Sequence, residues 1–168
     1  MVKKEAVSNA STIIFAAKIN RLDLLKNIFK RIFVPFEVID EIFKKESPEN
    51  NIIKKERGVL FNEVKVRKIM NIPAGIGERA AISYCIANKV LIFMSDDKKA
   101  RIFAESFNIQ PIGILGIILV NLKENLISID EAENVFQELI DKGFYVSSDI
   151  YAEMMKQIKI IGKGRRTK

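Results

Sequence analysis

The chain contains no histidine, no tryptophan and a single cysteine, Cys85. Without histidine, Ser-His-Asp and Cys-His catalysis, histidine-ligated zinc and imidazole acid–base chemistry are all excluded. A lone cysteine excludes an internal disulfide and a cysteine-cluster metal centre. Chemistry at a metal must therefore use oxygen ligands, which suits magnesium or manganese. Long hydrophobic runs are missing as well. The most apolar stretch, residues 111–122, is far shorter than the ~20 residues a membrane span needs. The opening MVKKEAVSNASTIIF is too quickly interrupted to be a signal peptide. The expectation is a soluble, cytoplasmic protein with a reduced thiol and no membrane partner.

What is present is a chain of 168 residues, 48% hydrophobic, with a net charge of +7. That length makes one domain with a real core. We read residues 1–159 as a single domain and residues 160–168, ending in GKGRRTK, as a basic tail. Strands and helices alternate. A short strand over 6–8 precedes a helix over 11–19 with Ser11 as its N-cap. The spacing of Leu22, Leu25, Ile28 and Phe29 is helical. A strand over 31–34 ends at Pro35, in the first turn of a helix carrying Val38, Ile39, Ile42 and Phe43 inward. A further helix begins at Pro48, and alternation in EVKVRKI favours a strand over 64–66.

Gly75 and Gly77 precede a helix over 78–87, and the apolar run 90–94 reads as a strand covered on both faces. Helices follow over 98–107 and 113–123, with a short strand over 109–112 between them. Ser128 and Glu131 form a capping-box pattern for a helix that stops at Gly143. A last helix covers 149–158. This alternation predicts a doubly wound α/β domain with right-handed crossovers.

In such folds ligands bind outside the carboxyl ends of the strands. Asp96 and Asp97 follow the strand 90–94, Asn9 follows the first strand, and Glu78 opens a helix returning to the same sheet. Four oxygen-bearing side chains at one edge repel each other unless a divalent cation lies among them. These stretches resemble the PIN-domain family, metal-dependent nucleases that include the VapC-type toxins. VSNASTIIFAAKINRLDLL resembles that family's first strand and helix, with Asn9 where the family's first aspartate stands. VPFEVIDEI places the second acid on Glu41, and GIGERAAISYCIANKVLIFMSDD places the third and fourth on Glu78 and Asp96. GFYVSSDIYAEMMK resembles the C-terminal helix entry of one prokaryotic branch.

The resemblance implies a three-layer sandwich, a central parallel sheet flanked by helices. It implies metal-assisted phosphodiester hydrolysis of RNA by Glu41, Glu78 and Asp96 around Mg²⁺ or Mn²⁺. Asn9 and Asp97 are further candidate metal ligands. Ser11, Lys98, Lys99 and Arg101 are candidate nucleic-acid contacts. A homodimer and an inhibitory antitoxin protein that inserts into the acidic site are implied as partners. Each residue has a plainer reading. Glu78 suits a first-turn carboxylate against the helix dipole, Asp96 an N-cap, Glu41 or its neighbour Asp40 a solvent-facing acid, and Asn9 a turn residue. Lys98, Lys99 and Arg101 suit a solvated helix face, and Cys85 a small core residue. Leu22, Leu25, Phe29 and Phe33 read as core, with an interface as the alternative. Two other functions are weighed against the ribonuclease: a non-catalytic PIN-fold binding module, and a receiver-like phospho-acceptor at Asp96–Asp97.

Overall fold

The computed structural model describes residues 2–165. Five strands, β1 (Lys4–Ser8), β2 (Phe29–Pro35), β3 (Phe61–Val64), β4 (Ile92–Met94) and β5 (Gln110–Ile112), form one sheet in the order β3-β2-β1-β4-β5. Every pairing is parallel. Between and after them run α1 (Ala10–Lys18), α2 (Asp23–Ile28), α3 (Phe36–Phe43), α4 (Pro48–Lys55), α5 (Ile76–Asn88), α6 (Lys98–Ser106), α7 (Ile114–Lys123), α8 (Ile129–Asp141) and α9 (Ser148–Arg165).

Side-chain alternation along the strands sorts the core into two layers. Ala6, Ile32, Val34 and Met94 face the larger cluster, which includes residues of α1, α2, α7, α8 and α9. Val7, Phe33 and Phe93 face the smaller one, closed by α5 and α6 through Ala81, Ile82, Cys85, Ala100 and Ala104. With both faces covered, a strand gains from apolar residues at consecutive positions, as at residues 6–7 of β1, 32–34 of β2 and 92–94 of β4. Phe93 is fully buried in the smaller layer. Phe93→Ala is expected to cost about 3–5 kcal/mol, read as a lowered midpoint in urea unfolding with an unchanged slope.

Polar anchors fix the larger layer. The buried Asn121 of α7 donates to the carbonyl oxygens of Leu24 and Ile117, both at 2.9 Å, and accepts from Asn27 at 2.8 Å. This locks α2 against α7. The Ser128–Glu131 capping box forms as the sequence implies, and Gly143, at φ +90°, takes the left-handed position after α8. Leu22, Leu25 and Phe29 are buried and Phe33 is half-buried against the smaller cluster, so this face is core. Cys85 is buried, and desolvation pushes its thiol up to about 12.

Several expected boundaries move. Helix α1 starts at Ala10 with Asn9, not Ser11, as its N-cap. Strand β3 lies at Phe61–Val64 rather than over 64–66, because Pro35, Val34, Phe33 and Ile32 of β2 pair with that earlier segment. Helix α9 continues through Arg165 instead of stopping at 158. Lys163 of the expected tail is therefore helical, while Arg166 and Lys168 lie outside the described residues. No helix among the described residues is long and apolar enough to cross a membrane.

Candidate active site

The chain leaves β1 in one direction to build β2 and β3, and in the other to build β4 and β5. The crevice between the ends of β1 and β4 is the topological switch point of the sheet. Asn9 closes it from one side: its N–H donates to the Met94 carbonyl at 3.0 Å and its side chain is 2% exposed. The Asn9 carbonyl oxygen faces the Thr12 N–H of α1 at 3.4 Å and also accepts from the Ser11 hydroxyl at 3.2 Å. A backbone N–H only donates, so the oxygen must face α1. The Asn9 amino group then points the other way, to the Ser95 hydroxyl at 3.0 Å and to Glu78 Oε1 at 3.5 Å. The residue expected as an uncharged metal ligand thus has its carbonyl engaged in capping a helix and offers its amide protons to the acids.

Asp96 sits where β4 ends. Its Oδ2 accepts from the Thr12 hydroxyl at 3.0 Å, and its Oδ1 accepts from the Ile114 N–H, in the first turn of α7, at 2.9 Å. Burial raises the Asp96 carboxyl above its ordinary value; the bonds from Ile114 and Thr12 and the charge of Arg101 oppose that rise. The N-cap of α6 is Asp97 and not Asp96, with Asp97 Oδ1 accepting from the Ala100 N–H at 2.7 Å. The buried Ser95 accepts from the Asp97 N–H at 3.2 Å, so one hydroxyl ties Asn9 to the turn that carries both aspartates.

Glu41 and Glu78 approach from α3 and α5. Glu41 is exposed as a residue, but its carboxyl end lies against Gly77: a Cβ there would stand 2.8 Å from Glu41 Oε2. Glu78 folds back over Gly75 in the same way, 2.5 Å from where a Cβ would be. Desolvation first, and the negative charge of Glu78 second, push the Glu41 carboxyl up, against the opposing pull of Lys44. Neither carboxylate has a salt bridge among the described residues. Asp40, the competing acid, is exposed.

A single hydrogen-bonded chain therefore runs from Glu78 through Asn9 to Ser95, and from Thr12 through Asp96 to α7, with Glu41 in electrostatic contact at one end. As the side chains stand, no three acidic or cysteine residues among those described ring a common point. The donor set nonetheless fits a hard divalent cation. Glu41 and Glu78 are carboxylates without a salt bridge among the described residues that repel each other, and Asp96 has spent only two of its roughly four acceptor positions. On the rim, Lys99 lines a 440 Å³ opening with Glu78 and Asp97. Lys98 and Arg101 are exposed on the first turn of α6.

Thr12, Ser95, Gly77 and Gly113 are absent from the residues the sequence singles out. Gly113 carries the clearest signal, as the sole residue between β5 and α7. A Cβ on Gly113 would collide with Asp96 Oδ1. Gly113→Ala is expected to displace Asp96 from the Ile114 N–H and lower metal-dependent activity about 10–100-fold, the range for a group that positions a ligand. Circular dichroism together with turnover at saturating metal checks it.

The raised Asp96 carboxyl also has a stability consequence. An acid whose folded pKa lies above its unfolded value, near 3.9 for Asp, stabilises the fold below that unfolded value. That contribution is lost as pH rises through the folded value. In metal-free protein the melting temperature of Asp96→Asn, relative to wild type, is therefore expected to be higher at about pH 7 than at about pH 4. Thermal melts of both proteins in chelator check this.

A parallel α/β sheet with carboxylates brought from three elements toward its carboxyl edge defines the class: a doubly wound α/β domain with an acidic switch-point crevice. Residues 5–160 match the model of a family described as a PIN domain, and the chain belongs to the PIN-domain family. PIN domains generally use divalent metal ions. No curated protein matches the chain.

Proposed function

We propose that the protein is a Mg²⁺- or Mn²⁺-dependent ribonuclease that hydrolyses phosphodiester bonds, acting as the toxin of a toxin–antitoxin pair. The observation that carries this reading is the Glu41–Glu78 couple, which lacks a cationic partner among the described residues and of which Glu78 accepts from Asn9, itself bonded across the switch-point crevice to Ser95 in the turn carrying Asp96. Glu41, Glu78 and Asp96 would hold the metal. When bound, the cation supplies Lewis acidity and an activated water at neutral pH, so no protein nucleophile is needed. Thr12 and the Ile114 N–H hold Asp96 in one orientation. The Asn9 amino group orients Glu78. Lys99, Lys98 and Arg101 take the phosphates of the substrate, and Ser11 supports the Asn9 side chain.

The antitoxin enters the same opening beside Glu78 and Asp97, and the toxin acts as a homodimer in the cytoplasm. The test is cleavage of a single-stranded RNA in Mn²⁺ against the same reaction in chelator. The proposal expects cleavage only with metal; no cleavage by purified protein at any Mn²⁺ concentration overturns it. A second reading, a catalytically weak or inactive PIN-fold module that binds nucleic acid or protein, is favoured by the Asn9 amide. It supplies protons to the acids where a carboxylate would supply charge for a cation.

A further inference from the structure

Between the segment joining β3 to α5 and the C-terminal end of α5 lies a second groove of about 430 Å³, lined by Lys65, Arg67, Lys68, Tyr84 and Asn88 together with two apolar residues. The three cations come from the segment joining β3 to α5. They are exposed, and none has a hydrogen bond or acidic partner among the described residues. No acid lines the groove; the nearby Glu63 of β3 is engaged by Arg57, and Glu5, whose charge reaches Tyr84, is engaged by Lys30 and Arg31. Three uncompensated charges within four residues carry a repulsive cost that a polyanion would relieve.

The segment is not free to splay outward. The Met70 N–H donates to the Ser83 hydroxyl at 2.8 Å, and Arg79 Nε donates to the Met70 carbonyl at 2.9 Å. Ser83 is itself buried, at 4% exposure, and donates to the Arg79 carbonyl at 2.7 Å. The basic run is thus pinned to α5 two residues beyond Lys68. Opposite it, the Tyr84 ring rests on Phe33 at 5.3 Å between centroids, and the Arg31 guanidinium covers Phe33 at 5.8 Å. The groove therefore has a basic wall and a backed aromatic wall, the combination that holds single strands by phosphate contact and base stacking.

Its position ties it to the acidic site. Gly77, against which Glu41 packs, and Tyr84 and Asn88 are spaced by seven and four residues, so they share one stripe of α5. Tyr84 lies about 10 Å and Asn88 about 16 Å along the helix from Gly77. A strand cut beside Glu41 and Glu78 reaches this groove within a few nucleotides.

We infer that the Lys65–Arg67–Lys68 groove with Tyr84 is a substrate exosite that binds the sugar–phosphate backbone of single-stranded RNA away from the scissile bond. This rests on the ribonuclease reading for its purpose, but its binding is measured without catalysis. The experiment follows fluorescence anisotropy of a labelled 12-nucleotide single-stranded RNA in chelator over a range of salt concentrations. It compares wild type with K65A/R67A/K68A and with R67A and K68A alone. Each lost phosphate contact should flatten the plot of log affinity against log salt by about 0.7, so the triple variant loses about 2 and each single about 0.7. The triple variant should bind at least about 10-fold more weakly at low salt, while Mn²⁺-dependent hydrolysis of a dinucleotide, too short to span both places, stays within about twofold of wild type. Unchanged slope and affinity in the triple variant, or in both singles should the triple not fold, overturn the exosite. Wild type that binds RNA with the expected slope yet hydrolyses nothing overturns the ribonuclease reading and leaves the exosite standing.

Discussion

Glu78→Gln is expected to lower Mn²⁺-dependent RNA cleavage by at least about 100-fold, more than the loss of an outer positioning group, with little change in melting temperature. The size follows from what the side chain does. Glu78 is the one carboxylate in contact with both neighbours, through the Asn9 amide at 3.5 Å and through its charge on Glu41. Glutamine keeps the shape and an oxygen that still accepts from Asn9, so the hydrogen-bonded chain survives. It removes the negative charge that attracts a cation. The same substitution should let the Glu41 carboxyl fall back toward its ordinary value, because Glu78 is the second cause of its rise. Cleavage by the variant at the wild-type rate, from preparations free of contaminating nuclease, would exclude Glu78 from the chemistry.

The second large effect belongs to Asn9→Asp. Asp caps a helix as well as Asn does, so the Thr12 N–H keeps its acceptor and α1 keeps its start. The other oxygen of the new carboxylate would face Glu78 Oε1 and the Ser95 hydroxyl where amide protons now lie. Without metal this adds a like charge beside Glu78 and loses a donor, a cost of about 1–3 kcal/mol. With metal the sign reverses: a third or fourth charge at the crevice should raise Mn²⁺ affinity at least about 10-fold, equivalent to ~1.4 kcal/mol. The variant should therefore melt below wild type in chelator and gain more from added Mn²⁺ than wild type does. Differential scanning fluorimetry across a Mn²⁺ titration reads both signs. A variant that melts like wild type with and without Mn²⁺ would remove Asn9 from the site.

Much of this was legible in the sequence because local signals and the global fold agree. The apolar run of β4, the Ser128–Glu131 box and Gly143 each follow from short-range chemistry and appear in place, and the change from strand to helix falls at Pro35, which ends β2 as the N-cap of α3 rather than lying in the first turn of that helix. Two of the errors share one cause, long-range pairing. Residues 64–66 alternate as a strand should, yet β2 pairs with Phe61–Val64, and no local pattern reveals that register. The choice of Asn9 over Ser11 as N-cap depends on where β1 ends, which is set by pairing with β4. At the site, the strand ends marked Asn9, Asp96 and Asp97, the helix start offered Glu78, and only the PIN-domain resemblance placed an acid on Glu41; none of these pointed to the groups that hold them. Thr12 reads as an ordinary helical residue until Asp96 is brought to its hydroxyl, and Gly113 reads as the first residue of a helix until its missing Cβ proves to be the space Asp96 occupies. Asn9 was legible as a position but not in its orientation, which follows from the obligate donor at Thr12.

Calorimetric titration of Mn²⁺ into metal-free wild type, Glu41→Gln and Glu78→Gln at neutral pH measures whether the acids of α3 and α5 share a cation with Asp96. Saturable binding to wild type that is weakened at least about 10-fold in both variants is the predicted result. Binding of equal strength to all three proteins, or none to wild type, would contradict it.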